Sequence, residues 1–283
     1  MASGTVICND LLSASVTFPK SRAVAQAIIA TLKNDISTEK AVEIVLNSIW
    51  IHLRQQNTPG LPAKFDSQAI DALYDHPPTI KVVEGLATQD KGRVWTCVLQ
   101  DTENIVRFGG KQGEDVICIA GFVVRTIEQT KSESVRIFAS LLLIASITHE
   151  MMHLIRSRAF FGIASEDKPE PESGWHLEQI LFGGIIGVVW KPEDVFLELE
   201  KVVWFVLHAN GKSFKIDFAA ARLVVESVIQ DHRWREVEVS QTQTVHFPPL
   251  VESRAPASAQ DSADVAPRSV ESFGLKICFL EDK

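Results

Sequence analysis

Two N-terminal stretches carry apolar residues at helical spacing. Over Ser21–Leu32, Ala23, Val24, Ala27, Ile28 and Leu32 line one stripe. A second helix opens at Ser37-Thr-Glu-Lys40, with Ser37 as its cap and Lys40 where a capping box would place Glu. Val42, Val45, Leu46, Ile49, Trp50 and Leu53 carry its apolar face to about Gln55, and Asn57-Thr-Pro-Gly60 stops it. A short helix follows at Ser67–Tyr74, before Pro77-Pro78. Residues 1–78 thus read as a helical section, with no structure assigned to the first twenty.

From Ile80 the pattern changes. Ile80–Leu86, Arg93–Leu99, Ile105–Phe108 and Val116–Ile127 are rich in Val, Ile, Trp and Thr, with Gly, Asn or Asp between them, and predict a small sheet. Next comes a long helix, Ser132–Ala159, without Gly or Pro. Ser165–Gly174 is charged and proline-containing and reads as a loop. A two-turn helix then runs to Phe182, with Ser173 as its cap and Gly183-Gly184 as its stop. Val195–His208 reads as a strand, Asn210-Gly211 as a hairpin turn, and Ser213–Phe218 as the return strand. Ala219–Gln230 predicts a helix, and Glu236–Phe247 alternates like a last strand. Pro248–Ser272 lacks large apolar anchors and predicts a disordered tail, whereas Phe273–Lys283 is apolar enough to dock back. The fold class is α+β: one domain over 1–247, with a helical section (1–78) followed by sheet and site helices (79–247).

The 283 residues suffice for a large core. A net charge of −8, with no Lys/Arg cluster to offset it, argues against nucleic acid as a partner. None of the four cysteines forms a C-x-x-C, and Cys97 and Cys118 sit in apolar runs as buried thiols. The N-terminus lacks the basic start and apolar core of a signal peptide. The longest uncharged apolar stretches, Ile137–Thr148 and Gln179–Trp190, fall short of the roughly 18 residues a bilayer span needs. The expectation is a cytoplasmic protein without a membrane partner.

The long helix carries His149-Glu150-Met151-Met152-His153, an H-E-x-x-H motif. Residues four apart lie one turn apart on one helix face, so both imidazoles can bind one Zn²⁺, at about 2.0–2.1 Å each. Glu150 is then placed to act as general base on the water. The helix is otherwise mostly apolar, and buried polar groups need partners, which a metal supplies. A catalytic zinc takes a third protein ligand. The candidates downstream are Glu166, Asp167, Glu170, Glu172, His176, Glu178 and His208. Arg156 and Ala159 stand where H-E-x-x-H-x-x-G-x-x-H would require Gly and His, so the third ligand is not a His at that spacing. Glu178, in the middle of the second helix, is the first choice and Glu172, at its start, the alternative. Tyr74, His176, His208 and His232 are the candidates for stabilising an oxyanion.

HEMMH with a later helix glutamate resembles the gluzincin branch of zincin metallopeptidases. Together with Glu172-Ser-Gly-Trp-His-Leu-Glu-Gln-Ile-Leu-Phe-Gly-Gly184 it is similar, over Ser132–Gly184, to a set of fungal H-E-x-x-H proteins. The resemblance implies a zincin-like fold, with the sheet packed on the H-E-x-x-H helix, bound Zn²⁺, and a zinc-dependent hydrolase acting on a peptide or protein. Two other readings share these residues: a zinc-binding protein of the same fold with little or no protease activity, and a zinc enzyme acting on a non-peptide substrate. One departure is evident. Gluzincins place Asp four residues after the ligand glutamate, but Phe182 follows Glu178 at that spacing and His176 follows Glu172, so another group must orient the imidazoles.

Overall fold

A computed structural model of the chain describes residues 8–12, 18–65, 71, 73–83, 96–99, 115–160, 172–190, 199, 202–240, 244–245, 270–272 and 275–278. After a short strand β1 (Cys8–Asp10), helix α1 (Pro19–Asn34) starts on a proline, whose missing N–H costs nothing at a first helical position. Glu128 Oε1 accepts the Ser21 N–H at 2.8 Å and so caps α1 from elsewhere in the chain. Helix α2 (Ile36–Gln55) is capped by Asp35, slightly earlier than the Ser37 expected. The Asp35 carboxylate accepts from the Ser37 N–H at 2.9 Å, the Ser37 hydroxyl at 2.8 Å and the Trp234 N–H at 2.8 Å. Most of the expected helix Ser67–Tyr74 lies outside the described residues.

Strands β2 (Thr79–Val83), β3 (Thr96–Leu99) and β4 (Val116–Ala120) join β1 in a mixed sheet of order β1-β2-β4-β3. β2 and β4 run parallel, and the outer pairs are antiparallel. The single strand expected over Val116–Ile127 ends at Ala120, and helix α3 (Gly121–Gln129) takes the rest. An unbroken apolar run fits a buried strand and a buried helix face equally well. Here Phe122, Val123, Val124 and Ile127 are buried while Gln129 is exposed. Ile105–Phe108 lies outside the described residues.

Helix α4 (Glu133–Ala159) is the centre of the molecule. Ser132 caps it, its Oγ accepting the Val135 N–H at 3.4 Å, and every residue from Ala139 to Ile155 is buried. It is long and apolar enough to cross a bilayer by length and composition, and most of its apolar window is covered by the fold. The cover comes from α1, α3, β3 and β4, and from two later helices, α5 (Ser173–Phe182) and α6 (Phe218–Glu226).

A second, antiparallel sheet has the order β8-β7-β6-β5-β10-β9. It comprises β5 (Ile185–Trp190), β6 (Trp204–Ala209), β7 (Lys212–Ile216), β8 (Thr244–Val245), β9 (Val270–Ser272) and β10 (Leu275–Cys278). Asn210 and Gly211, both with φ above +50°, join β6 to β7 in a two-residue loop, as a type I′ turn requires. Phe138 of α4 stacks on Phe205 of β6 at 4.5 Å, tying this sheet to the central helix. Among the described residues of the expected strand Glu236–Phe247, Thr244–Val245 pairs, with β7; Val237 donates its N–H to the Phe182 carbonyl, closing over the end of α5. β10, inside Phe273–Lys283, pairs with β5, and β9 covers the last residues of the expected tail. The architecture is α+β.

Candidate metal centre

HEMMH falls on the fully enclosed part of α4, so its polar side chains are removed from water. His149 is 1% exposed, Glu150 3% and His153 9%. The two rings lie 5.1 Å apart, centre to centre, as neighbours one helical turn apart should. α5 returns beside α4 with its N-terminus over this pair. Glu172, at the cap of α5, turns its carboxylate back onto its own helix: Oε1 accepts the Gly174 N–H at 2.8 Å and Oε2 accepts the Trp175 N–H.

That turn carries Glu172 Oε1 to 3.0 Å from His153 Nε2 and 3.6 Å from His149 Nε2. Two ligands at zinc distance and tetrahedral angle stand about 3.3 Å apart, and the two separations bracket that value. One ligand atom from each of His149, His153 and Glu172 lies within 4.8 Å of the others. Two imidazole nitrogens and one carboxylate oxygen are a donor set that a catalytic zinc accepts, so these residues fit the ion.

Glu178 stands on the other side of His149. Its Oε1 accepts from Nδ1 at 2.8 Å, and its Oε2 accepts the Ile186 N–H of β5 at 3.1 Å. Burial pushes this fully enclosed carboxyl above its ordinary range, opposed by the hydrogen bond and charge of His149 and by the Ile186 N–H. The grouping therefore differs from the sequence expectation. The sequence ranks Glu178 first as third ligand and Glu172 second, yet it is Glu172 that faces both Nε2 atoms. Mid-helix rigidity favours Glu178, but one turn into α5 a side chain already lies beyond the face of His149 that the Glu172 carboxylate shares with His153.

Two residues of the site escape sequence reasoning. Ser173 Oγ lies 3.3 Å from His153 Nδ1. At Gly174 an added Cβ would come within 2.5 Å of His149 Cγ and Nδ1, so only glycine lets the ring lie against the first turn of α5. The signal is present: in Glu172-Ser173-Gly174 a carboxylate, a hydroxyl and an absent side chain stand consecutively, directly at the start of the helix. The other candidates lie elsewhere. His208, on β6, bonds Ser213 Oγ through Nδ1 at 2.7 Å, and burial pushes its pKa down to about 4. His232 is exposed beyond α6, and His176 is half-buried on α5. Tyr74 lines a cavity of about 680 Å³ with Leu32, Asp35 and Val42, between α1 and α2. Glu166, Asp167 and Glu170 lie outside the described residues.

The fold and site define an α+β protein whose central helix and the cap of α5 together present a His-His-Glu cluster suited to a metal ion. The family model described as metallopeptidase toxin 3 matches residues 17–183, more than half of the chain, and the chain belongs to that family. The match runs from α1 through α5 and so includes every residue of the cluster; β5 and all later elements lie beyond it. No curated protein and no solved structure matches the chain.

Proposed function

We propose that the protein is a zinc-dependent metallopeptidase of zincin-like, gluzincin type, with His149, His153 and Glu172 holding the ion and Glu150 as general base. The observation that carries this reading is the approach of the Glu172 carboxylate to both HEMMH Nε2 atoms, with both Nδ1 atoms engaged by other groups. Zinc bound there would supply a Lewis acid for a carbonyl and lower the pKa of a water.

The remaining work falls to the chain. Glu150, adjacent to His149 and nearly buried, accepts a proton from the attacking water and returns it to the leaving amine. His149 and His153 are shielded from solvent, which strengthens electrostatic interactions in the site. Glu172, whose side chain is 16% exposed, is the most exposed member of the cluster. The family description supports a protein or peptide as substrate and hydrolysis that harms a target.

The test is metal content and hydrolysis on one preparation. Wild type should hold one zinc per chain and cleave members of a peptide library. Glu150→Gln should keep the zinc and lose hydrolysis by about 10²–10⁴-fold. Absence of zinc from wild type, or equal cleavage by the Gln variant, would refute the assignment.

A further inference from the structure

The rear faces of both imidazoles are held by the same short helix that brings Glu172. His149 Nδ1 meets Glu178 Oε1 at 2.8 Å, and the second Glu178 oxygen is fixed by the Ile186 N–H at 3.1 Å. The Glu178 carboxylate, with no exposed surface, is therefore tied at both oxygens, to the metal-site ring on one side and to the start of β5 on the other. Ser173 Oγ stands 3.3 Å behind His153 Nδ1. A histidine that turns Nε2 to a metal carries its proton on Nδ1, and the acceptor of that proton fixes tautomer and ring angle. Glu178 and Ser173, both on α5, are acceptors at that position.

We infer that Glu178 is a positioning residue for the proposed zinc site, fixing the ring of His149 through Nδ1 and tying it to β5, with Ser173 doing the same for His153. α5 and its cap thus supply one ligand and both groups that orient the other two. This supplies the orienting group that the Phe182 and His176 positions do not. It also assigns the strand after α5, which lies beyond the family match, a part in holding the site. The inference rests on the zinc reading above.

Glu178→Gln is nearly the same shape, but an amide cannot accept at both of its ends, so either the His149 or the Ile186 bond is lost. In the full-length chain, competition with a zinc-binding chelator should show affinity reduced by about 10–100-fold in Glu178→Gln and less in Ser173→Ala, against near-complete loss in Glu172→Ala. In the zinc-loaded wild type, imidazole ¹⁵N spectra should report His149 coordinated through Nε2 with a slowly exchanging proton on Nδ1, a readout that needs no variant to fold. A purely structural role would lower the melting temperature of Glu178→Gln without changing zinc affinity or the His149 spectrum, and would overturn the inference. So would near-complete loss of zinc in Glu178→Gln with retention in Glu172→Ala, which would make Glu178 the ligand. Wild type that binds no zinc would instead refute the proposed function itself.

Discussion

Gly174→Ala is the sharpest test of how α5 meets α4. A methyl group at this position would fall 2.5 Å from His149 Cγ and Nδ1 and 2.6 Å from Cδ2, where ordinary contact begins at 3.4 Å. The ring must therefore retreat by about 1 Å, or α5 must lift by as much. The ring cannot retreat freely: it is 1% exposed and its Nδ1 is held by Glu178. A metal site tolerates ligand displacements of about 0.2 Å, so a shift of this size is roughly five times too large. Alanine is the better helix former, by about 0.5–1 kcal/mol, but overpacking costs typically 1–3 kcal/mol. The expected result is a fold weakened by about 1–2 kcal/mol and zinc affinity reduced by at least 100-fold. Thermal unfolding with and without added zinc separates the two effects, since zinc should raise the melting temperature of wild type far more than that of the variant. A variant that binds zinc with wild-type affinity would refute the argument, and with it the placement of α5 against His149.

Other outcomes rest on single contacts. His208 has its pKa pushed down to about 4 by burial, against 6.5 when free, so the unfolded chain takes up a proton that the fold refuses. Its contribution is full above pH 6.5 and is lost as pH falls toward 4, by on the order of 2–3 kcal/mol; denaturant titrations at pH 7.5 and 4.5 should show a smaller loss in His208→Gln than in wild type. Asp35→Ala removes the α2 cap and the acceptor of the Trp234 N–H, and should destabilise by about 1–2 kcal/mol in the same assay; wild-type stability would show that the cap contributes nothing. Burial raises the Asp35 carboxyl, but the hydrogen bonds from Ser37 and Trp234 and the charge of Arg233 outweigh it and hold it below its usual range. That contribution is therefore present at neutral pH and lost in acid, as pH falls through the lowered value.

The long elements were legible because their periodicity was unambiguous. α1, α2 and α4 stand within a few residues of their apolar patterns, and the Asn210-Gly211 turn joins the pair its dipeptide announces. Segments buried on all sides read poorly. β5 is a continuous apolar run without alternation, and the run from Val116 divides between a strand and α3 because neither half shows a polar face until Arg125 and Glu128. In the site, HEMMH and both glutamates stood out by residue type. Their arrangement did not, because it depends on Glu172 folding back to accept from Gly174 and Trp175, a local turn of the backbone that no spacing rule encodes. The same fold-back explains why Ser173 and Gly174, which look like ordinary residues at a helix start, belong to the site.

The enclosure of α4 has a bearing on how the chain folds. Its covers come from far apart in the sequence: α1 precedes it by about a hundred residues and α6 follows it by about sixty, while the bond joining His149 to Glu178 spans only 29 positions. The metal-site hairpin of α4 and α5 is therefore a local unit with a small loop-closure cost, whereas the layer that shields its other faces forms late. On the ribosome, α4 emerges with α1 already made and α6 still to come, and this long apolar helix waits with one flank bare. Chaperone demand and aggregation during refolding should therefore concentrate on α4, and truncation before Phe218 should yield insoluble chain even though every residue of the metal centre is present.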